Sequence, residues 1–394
     1  MWRYRVLISL LASVVLLRHG RGRLVAPSAS TQDHIWVHGA SNGELASVRP
    51  LLEKLIARRP DLHWLVTANT ETGRDMVRGW TLPKVDAHLA PVDLSWLTRK
   101  TLRARNVTAH VTLEAELWPH RVLSCPGPVI LLGARMSDGT ARGWARLGGL
   151  AGRALSRVAF ASAQDQGSAQ RLLDLGLSDR ALGPVVDLKA FYDAQPIKIP
   201  SGIHRAKTWL AASTHEGEEQ TVIAAHIAAR KAEPGLRLIL APRHPRRAAE
   251  VRAMIEAAGL EVGQRSAGDS PDRGEVYLAD TMGEMPLWYA ACGRVFVGGT
   301  LTDRGGHTPY EPAAYGASLI HGPDVRNFRA AYARLEQADA ALCIADAASL
   351  AGALSALADE TRQVQAGRTA QAVLRPDTNL DAVCDAVLRV LDKG

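Results

Sequence analysis

Short runs of consecutive apolar residues alternate along the chain with longer segments whose apolar positions recur every three or four residues. The runs "IWVH" (35–38), "HWLVTA" (63–68), "HVTLEAE" (110–116), "VILLGAR" (129–135) and "VAFASAQ" (158–164) predict buried strands. Between them, "GELASVRPLLEKLIARR" and "DLSWLTRKTLRARN" keep helical spacing behind plausible start signals. Such a strand–helix series predicts a parallel sheet covered by helices on both faces. Prolines and glycines interrupt it in "GPVVDLKAFYDAQPIKIPSGIHRAK". It then restarts with apolar runs at 208–214, 236–244, 275–281, 294–300, 317–323 and 341–346. The predicted fold is α/β, with two doubly wound Rossmann-like domains at 24–186 and 208–394, a linker at 187–207 and an N-terminal segment at 1–23.

In doubly wound sheets ligands sit beyond the carboxyl ends of the strands, so a two-domain version predicts a site in the cleft. Six polar clusters follow predicted strands: His38–Glu44, Glu114–His120, Ser213–Glu219, Arg243–His244, Met282–Glu284 and Gly298–Glu311. Chance polar loops would be distributed over both ends of the sheets.

The N-terminal segment carries an apolar run, Val6–Leu17, between Arg3/Arg5 and Arg18/Arg21/Arg23. It falls short of the roughly 20 residues of an untilted spanning helix. Three readings compete: a signal peptide cleaved near "VAPSAS", an uncleaved anchor whose arginines meet anionic headgroups, and a first buried helix. Across 394 residues, Lys and Arg number 47 against 40 Asp and Glu, a formal charge of +7 that suits an anionic substrate or lipid surface. The basic residues are dispersed and not striped with aromatics, which argues against nucleic acid. Cys125, Cys292, Cys343 and Cys384 lie far apart, with neither disulfide-framework nor metal-ligand spacing.

Several motifs fail. "HEGEE" at 215–219 has Glu219 where a zinc-protease helix needs its second histidine, and no dinucleotide, Walker, nucleophile-elbow or Asp-x-Asp motif is present. What remains is carboxylates, glycines and cations at strand ends. Glu44 opens a helix, where an acid is stabilised by free amides. Behind Gly39 and Gly43 it would also point towards a ligand, where partial burial would raise it to a working base. Glu114 and Glu116 fall at strand spacing, on one face. "APRHPRR" groups Arg243, His244, Arg246 and Arg247, either a phosphate site or a solvated basic turn. Gly283 precedes a helix whose amides suit a phosphate. Glu311 opens another helix, where it could accept hydrogen bonds from a ribose diol.

Taken in order, "HGASNGE", "TANTETG", "EAELWPH", "STHEGEE", "PRHPRR", "DTMGEM", "GGTLTDRGGHTPYEPAA" and "GPDVRNF" make the chain resemble the 3-deoxy-D-manno-octulosonic acid (Kdo) transferases of the lipid A pathway. The resemblance runs from about residue 35 to about 360 and implies a GT-B fold, no metal or other cofactor, and inverting transfer of Kdo from CMP-Kdo to lipid IVA. It places the enzyme at the cytoplasmic face of the inner membrane. Residue by residue, it makes Glu44 the general base and Glu114 and Lys189 transition-state stabilisers. It puts CMP against Pro242 and Arg243, Met282, Gly283 and Glu284, and Thr308, Pro309, Tyr310 and Glu311. His38, Ser41, Glu116, His244 and His307 are candidates for support. The family's usual Asn is Thr308 here, and the stretch between anchor and first strand is short. Two alternatives stay open: a different acceptor or sugar, and a non-catalytic binder of nucleotide or glycolipid.

Overall fold

The computed structural model describes residues 2–393, and their side chains apart from those of Trp2, Arg3 and residues 15–21. Contacts divide the chain into two units, Met1–Phe191 with Pro376–Gly394, and Tyr192–Arg375.

The first unit holds a six-stranded sheet of β1 (His34–Gly39), β2 (His63–Ala68), β3 (Val85–Leu89), β4 (Val107–Leu113), β5 (Val129–Ala134) and β6 (Val158–Ala163). All pairings are parallel, in the order β3-β2-β1-β4-β5-β6. The order reverses between β1 and β4, the point where a doubly wound sheet opens a crevice at its carboxyl edge. Helix α1 is Trp2–His19 and α2, which follows β1, is Asn42–Arg58.

The second unit has seven strands: β7 (Thr208–Thr214), β8 (Arg237–Pro242), β9 (Val262–Gln264), β10 (Val276–Leu278), β11 (Arg294–Val297), β12 (Ser318–His321) and β13 (Ala341–Cys343). They are also parallel, ordered β13-β12-β11-β7-β8-β10-β9, with the reversal between β7 and β11.

Three features depart from the sequence expectation. Strands β3 and β9 are not among the predicted strands: both are sheet edges, β3 half exposed and charged, β9 only three residues long. The predicted linker is partly structured, since Leu188–Phe191 forms a turn within the first unit. The helix Leu380–Leu391 falls in the stretch expected to belong to the second domain but packs on the first. Its Val383, Cys384 and Val387 share a core with Leu51, Leu52 and Leu55 of α2, and Asp381 receives Lys54 at 3.0 Å and Arg58 at 2.7 Å.

Helix α1 buries Tyr4, Ile8 and Ala12 against Val92 and Leu150. Tyr4 donates its hydroxyl to buried Asp93 at 2.7 Å. Its other face exposes Val6, Leu7, Leu10, Leu11 and Val14. Among the described residues no helix is long and apolar enough to cross a membrane. The arginines expected to flank an anchor include Arg3, Arg18 and Arg21, which lie outside the residues with described side chains.

Candidate functional site

In the first unit the chain leaves β1 at Gly39 and enters α2 through Ser41, whose hydroxyl accepts the Glu44 amide at 3.3 Å. The Glu44 carboxylate turns back, accepting the Ala40 amide at 2.7 Å and the Ser41 hydroxyl at 3.1 Å. This reciprocal capping fixes the side chain. Burial, reinforced by the nearby Glu114 and Glu116 charges, raises its pKa to about 7 against the pull of those two hydrogen bonds. Glu44 is thus a helix-starting acid whose charged form is disfavoured by burial.

Glu114 is the first residue past β4 and adopts φ +46°. A left-handed non-glycine costs on the order of 1–3 kcal/mol and persists only where its surroundings hold it. Here Leu132 accepts the Glu114 amide at 3.1 Å, and the Glu114 carbonyl accepts the Arg135 amide at 3.2 Å. The carboxylate is paired with Lys189. Burial pushes the Lys189 ammonium down, but Glu114, Asp187 and Glu44 outweigh it and hold the pKa above its usual range. Asp187 anchors the lysine's own amide at 2.9 Å and accepts Gln164 at 2.8 Å, with burial pushing its pKa up.

Glu116 does not share a strand face with Glu114, as their spacing predicted, because β4 ends at Leu113 and the left-handed turn separates them. It accepts His38 Nε2 at 3.0 Å, Trp118 Nε1 at 2.8 Å and Asn69 at 3.3 Å. Burial opposes its charge, yet His38 and Trp118, with Arg121 nearby, hold it well below the usual carboxylate range. His38 is fully buried, and burial together with Arg121 lowers its pKa to about 4. Its Nε2 lies 3.0 Å from the Glu116 carboxylate, and its Nδ1 lies 3.1 Å from the Thr67 carbonyl and 3.0 Å from the Thr67 hydroxyl. Glu116 and His38 are therefore held by one another and by neighbouring donors, and the Glu116 charge adds to the field felt by Glu44. A cavity of about 200 Å³ opens beside Asn69 and Trp118, bounded also by Leu11 of α1, Arg23 and Arg121.

In the second unit, Glu218 is completely buried and organises the reversal point. It accepts the amides of His215 (2.9 Å), Gly299 (2.7 Å), Thr300 (3.0 Å) and Leu301 (3.0 Å), tying the loop after β7 to the loop after β11. The His215 and His307 rings stack with Nε2 atoms 2.9 Å apart, and His244 meets His215 edge-on. A Cβ on Gly299 would press on both rings at 3.2–3.4 Å. Burial first, then His215 and Arg243 around His307 and Arg304, His244 and Arg243 around His215, lowers each ring to about 4. The exposed Arg243 follows Pro242, the last residue of β8, and donates its amide to Thr214 at 2.9 Å.

Other predicted residues are engaged differently. Arg247 pairs with buried Glu219 at 2.7 Å and Glu250 at 2.9 Å, so part of the basic cluster is neutralised. Glu284 is held by Arg265 at 2.6 Å, next to Gly283 at φ +85° and the exposed Met282. Thr308 accepts the Tyr310 amide at 3.3 Å, before the short helix Tyr310–Ala314 that carries Pro309 at its cap and Glu311 in its first turn. His215, Glu218 and Arg304 fall within predicted polar clusters without being singled out as site residues, and Asp187 is not among the predicted site residues. Glu218 lies in "HEGEE", just past a predicted strand end, and three of its four amide partners lie more than 80 residues away in sequence.

Residues 18–192 match the family model described as 3-deoxy-D-manno-octulosonic-acid transferase (kdotransferase). The chain is 32% identical over 375 residues to the 3-deoxy-D-manno-octulosonic acid transferase of Bordetella pertussis, covering 90% of this chain and 86% of that one. It is 30% identical over 307 residues to the Haemophilus influenzae protein of the same name, covering 75% and 71%. Among solved structures, HepE of Anabaena with UDP and glucose aligns at a TM-score of 0.60 and 13% identity, covering 92% of this chain and all (100%) of that one. A putative UDP-N-acetylglucosamine 2-epimerase from Listeria monocytogenes aligns at 0.61 and 12% identity, covering 91% and 95%. These structures share the architecture of two parallel-sheet α/β domains.

Proposed function

Because the chain belongs to the Kdo transferase family, a family of GT-B glycosyltransferases, we propose that it transfers Kdo from CMP-Kdo to the lipid A precursor lipid IVA, with inversion and release of CMP. The observation that carries this reading is Glu44, a capped carboxylate at the reversal point of the first sheet with a pKa near 7. An acceptor hydroxyl attacking the anomeric carbon must lose its proton as the new C–O bond forms. Glu44 would take that proton while the bond from the anomeric carbon to the CMP phosphate breaks on the opposite face.

The electron pair leaving with CMP puts negative charge on one phosphate. In this proposal Arg243 and the loops carrying Gly283 and Thr308–Glu311 receive the nucleotide, and Lys189, held by Glu114, offsets charge at the sugar. A monophosphate leaving group requires less neutralisation than a diphosphate, and the reading calls for no metal or other cofactor.

We place the enzyme at the cytoplasmic face of the inner membrane. In support, α1 exposes Val6, Leu7, Leu10 and Val14. Helix Ser95–Ala104 exposes Trp96 beside Arg99, Lys100 and Arg103, a combination suited to an anionic lipid surface.

The test is incubation of the purified chain with CMP-Kdo and lipid IVA in detergent, with products read by mass spectrometry. The proposal requires a lipid gaining Kdo and equimolar CMP. CMP-Kdo binding without transfer to lipid IVA would remove this acceptor and leave the search to other surface glycans.

A further inference from the structure

At the carboxyl edge of the second sheet, His321 and Cys343 are register partners on the parallel strands β12 and β13, so their side chains emerge on one face. Helix Arg329–Gln337 brings Glu336 to the same place, with its carboxylate 3.7 Å from His321 Nε2. His321 Nε2, Cys343 Sγ and a Glu336 oxygen all lie within 4.8 Å of one another. We infer that His321, Glu336 and Cys343 form a binding site for one divalent zinc-like cation, separate from the transfer chemistry.

His321 is completely buried, and among the described residues its Nε2 has no hydrogen-bond partner. An orphaned ring nitrogen in the interior is costly unless something is meant to meet it. The other nitrogen, Nδ1, donates to the Gly322 carbonyl at 2.7 Å, which leaves the lone pair on Nε2. Metal-ligating histidines are typically oriented this way, with the far nitrogen bonded to a carbonyl or carboxylate. The Tyr332 ring also packs on the imidazole, with centroids 4.5 Å apart.

The ligand set selects the metal class. Thiolate, imidazole and carboxylate together suit zinc over magnesium or calcium, which prefer oxygen alone. Bonds of about 2.0–2.3 Å in a tetrahedron place ligand atoms about 3.5 Å apart, close to the His321–Glu336 separation. With three protein ligands, water would complete the coordination. Since Cys343 must bind as thiolate, metal uptake releases one proton to solvent.

The site would fasten β13, a three-residue edge strand, to its neighbour. Tyr332 also donates its hydroxyl to the His307 carbonyl at 3.1 Å, so the clamp is one side chain from the loop bearing Thr308. Cysteine spacing along the chain concealed the site, because strand register, and not a local motif, joins the ligands.

The test is calorimetric titration of the chelator-treated full chain with zinc in two buffers of different ionisation enthalpy, alongside cobalt substitution. One equivalent should bind with release of about one proton, raising the melting temperature. Cobalt should show near-ultraviolet thiolate charge-transfer absorption. Cys343→Ser, at an exposed position, should fold normally, lose that absorption and weaken zinc binding at least about tenfold; Glu336→Gln should weaken it less. Absence of zinc binding, cobalt binding without the thiolate band, or binding unchanged in both variants would overturn the inference.

Discussion

Glu44 accepts the backbone N–H of Ala40 at 2.7 Å, so the acid that begins α2 is bent back over the end of β1 and not released to solvent. Its raised pKa has a consequence for stability. Between pH 4.5 and 7 the folded state holds a proton that the unfolded state has lost, so stability falls as pH rises through this window. Replacing Glu44 with Gln removes the penalty. Thermal unfolding at pH 8 should find Glu44→Gln more stable than the parent by ~1–3 kcal/mol, with the gain shrinking to nothing near pH 4.5.

Lys189 and Glu114 form a pair with each side chain about four-fifths buried. Removing one partner strands the other charge, so Lys189→Met should cost about 3 kcal/mol in denaturant unfolding. Adding Glu114→Gln should recover much of that stability while transfer stays reduced by about 100-fold or more. Recovery of both stability and transfer in the double variant would show the pair to be structural only.

Glu218 carries four backbone amides on two oxygens, and an amide side chain cannot accept all of them. Each orphaned amide costs about 1–3 kcal/mol. Glu218→Gln should loosen the Gly299–Leu301 loop and raise the KM for CMP-Kdo about tenfold or more, with a smaller change in kcat. Equal loss in kcat and kcat/KM would point instead to the chemical step.

Trp96, Arg99 and Lys100 are predicted to touch lipid. Substituting Trp96 with Ala and both cations with Gln should weaken sedimentation with anionic vesicles about tenfold or more at low salt, at about 1 kcal/mol per cation. Neutral vesicles should show a smaller difference, and salt should erase it. Unchanged binding to anionic vesicles would move the contact elsewhere.

Much of this architecture is legible in the sequence because parallel strands buried on both faces are near-continuous in apolar residues. The strands flanking both reversal points, and the polar clusters after them, are visible on that basis. Edge strands β3 and β9 lack the signal, having only partial burial or too few residues. Long-range assembly is harder to see. Nothing local says that Leu380–Leu391 returns to the first unit, or that Arg247 is spent on Glu219. That Glu44 starts a helix is legible from its place after a glycine turn. Glu114 and Glu116 were recognisable as a pair, but the left-handed residue that sends them to different partners was not. Glu218 was hidden because its role is to satisfy amides distant in sequence.

The most direct test of the account is the pH dependence of Kdo transfer from CMP-Kdo to lipid IVA by the parent chain and Glu44→Gln, with CMP binding measured alongside. The parent should lose kcat/KM on the acid side with an apparent pKa near 7, because only the ionised carboxylate can accept the proton. Glu44→Gln should bind CMP normally, transfer about 100- to 10,000-fold more slowly and lack that limb. A Glu44→Gln enzyme within a few-fold of the parent, or one retaining the same acid limb, would contradict the assignment of Glu44 as the base.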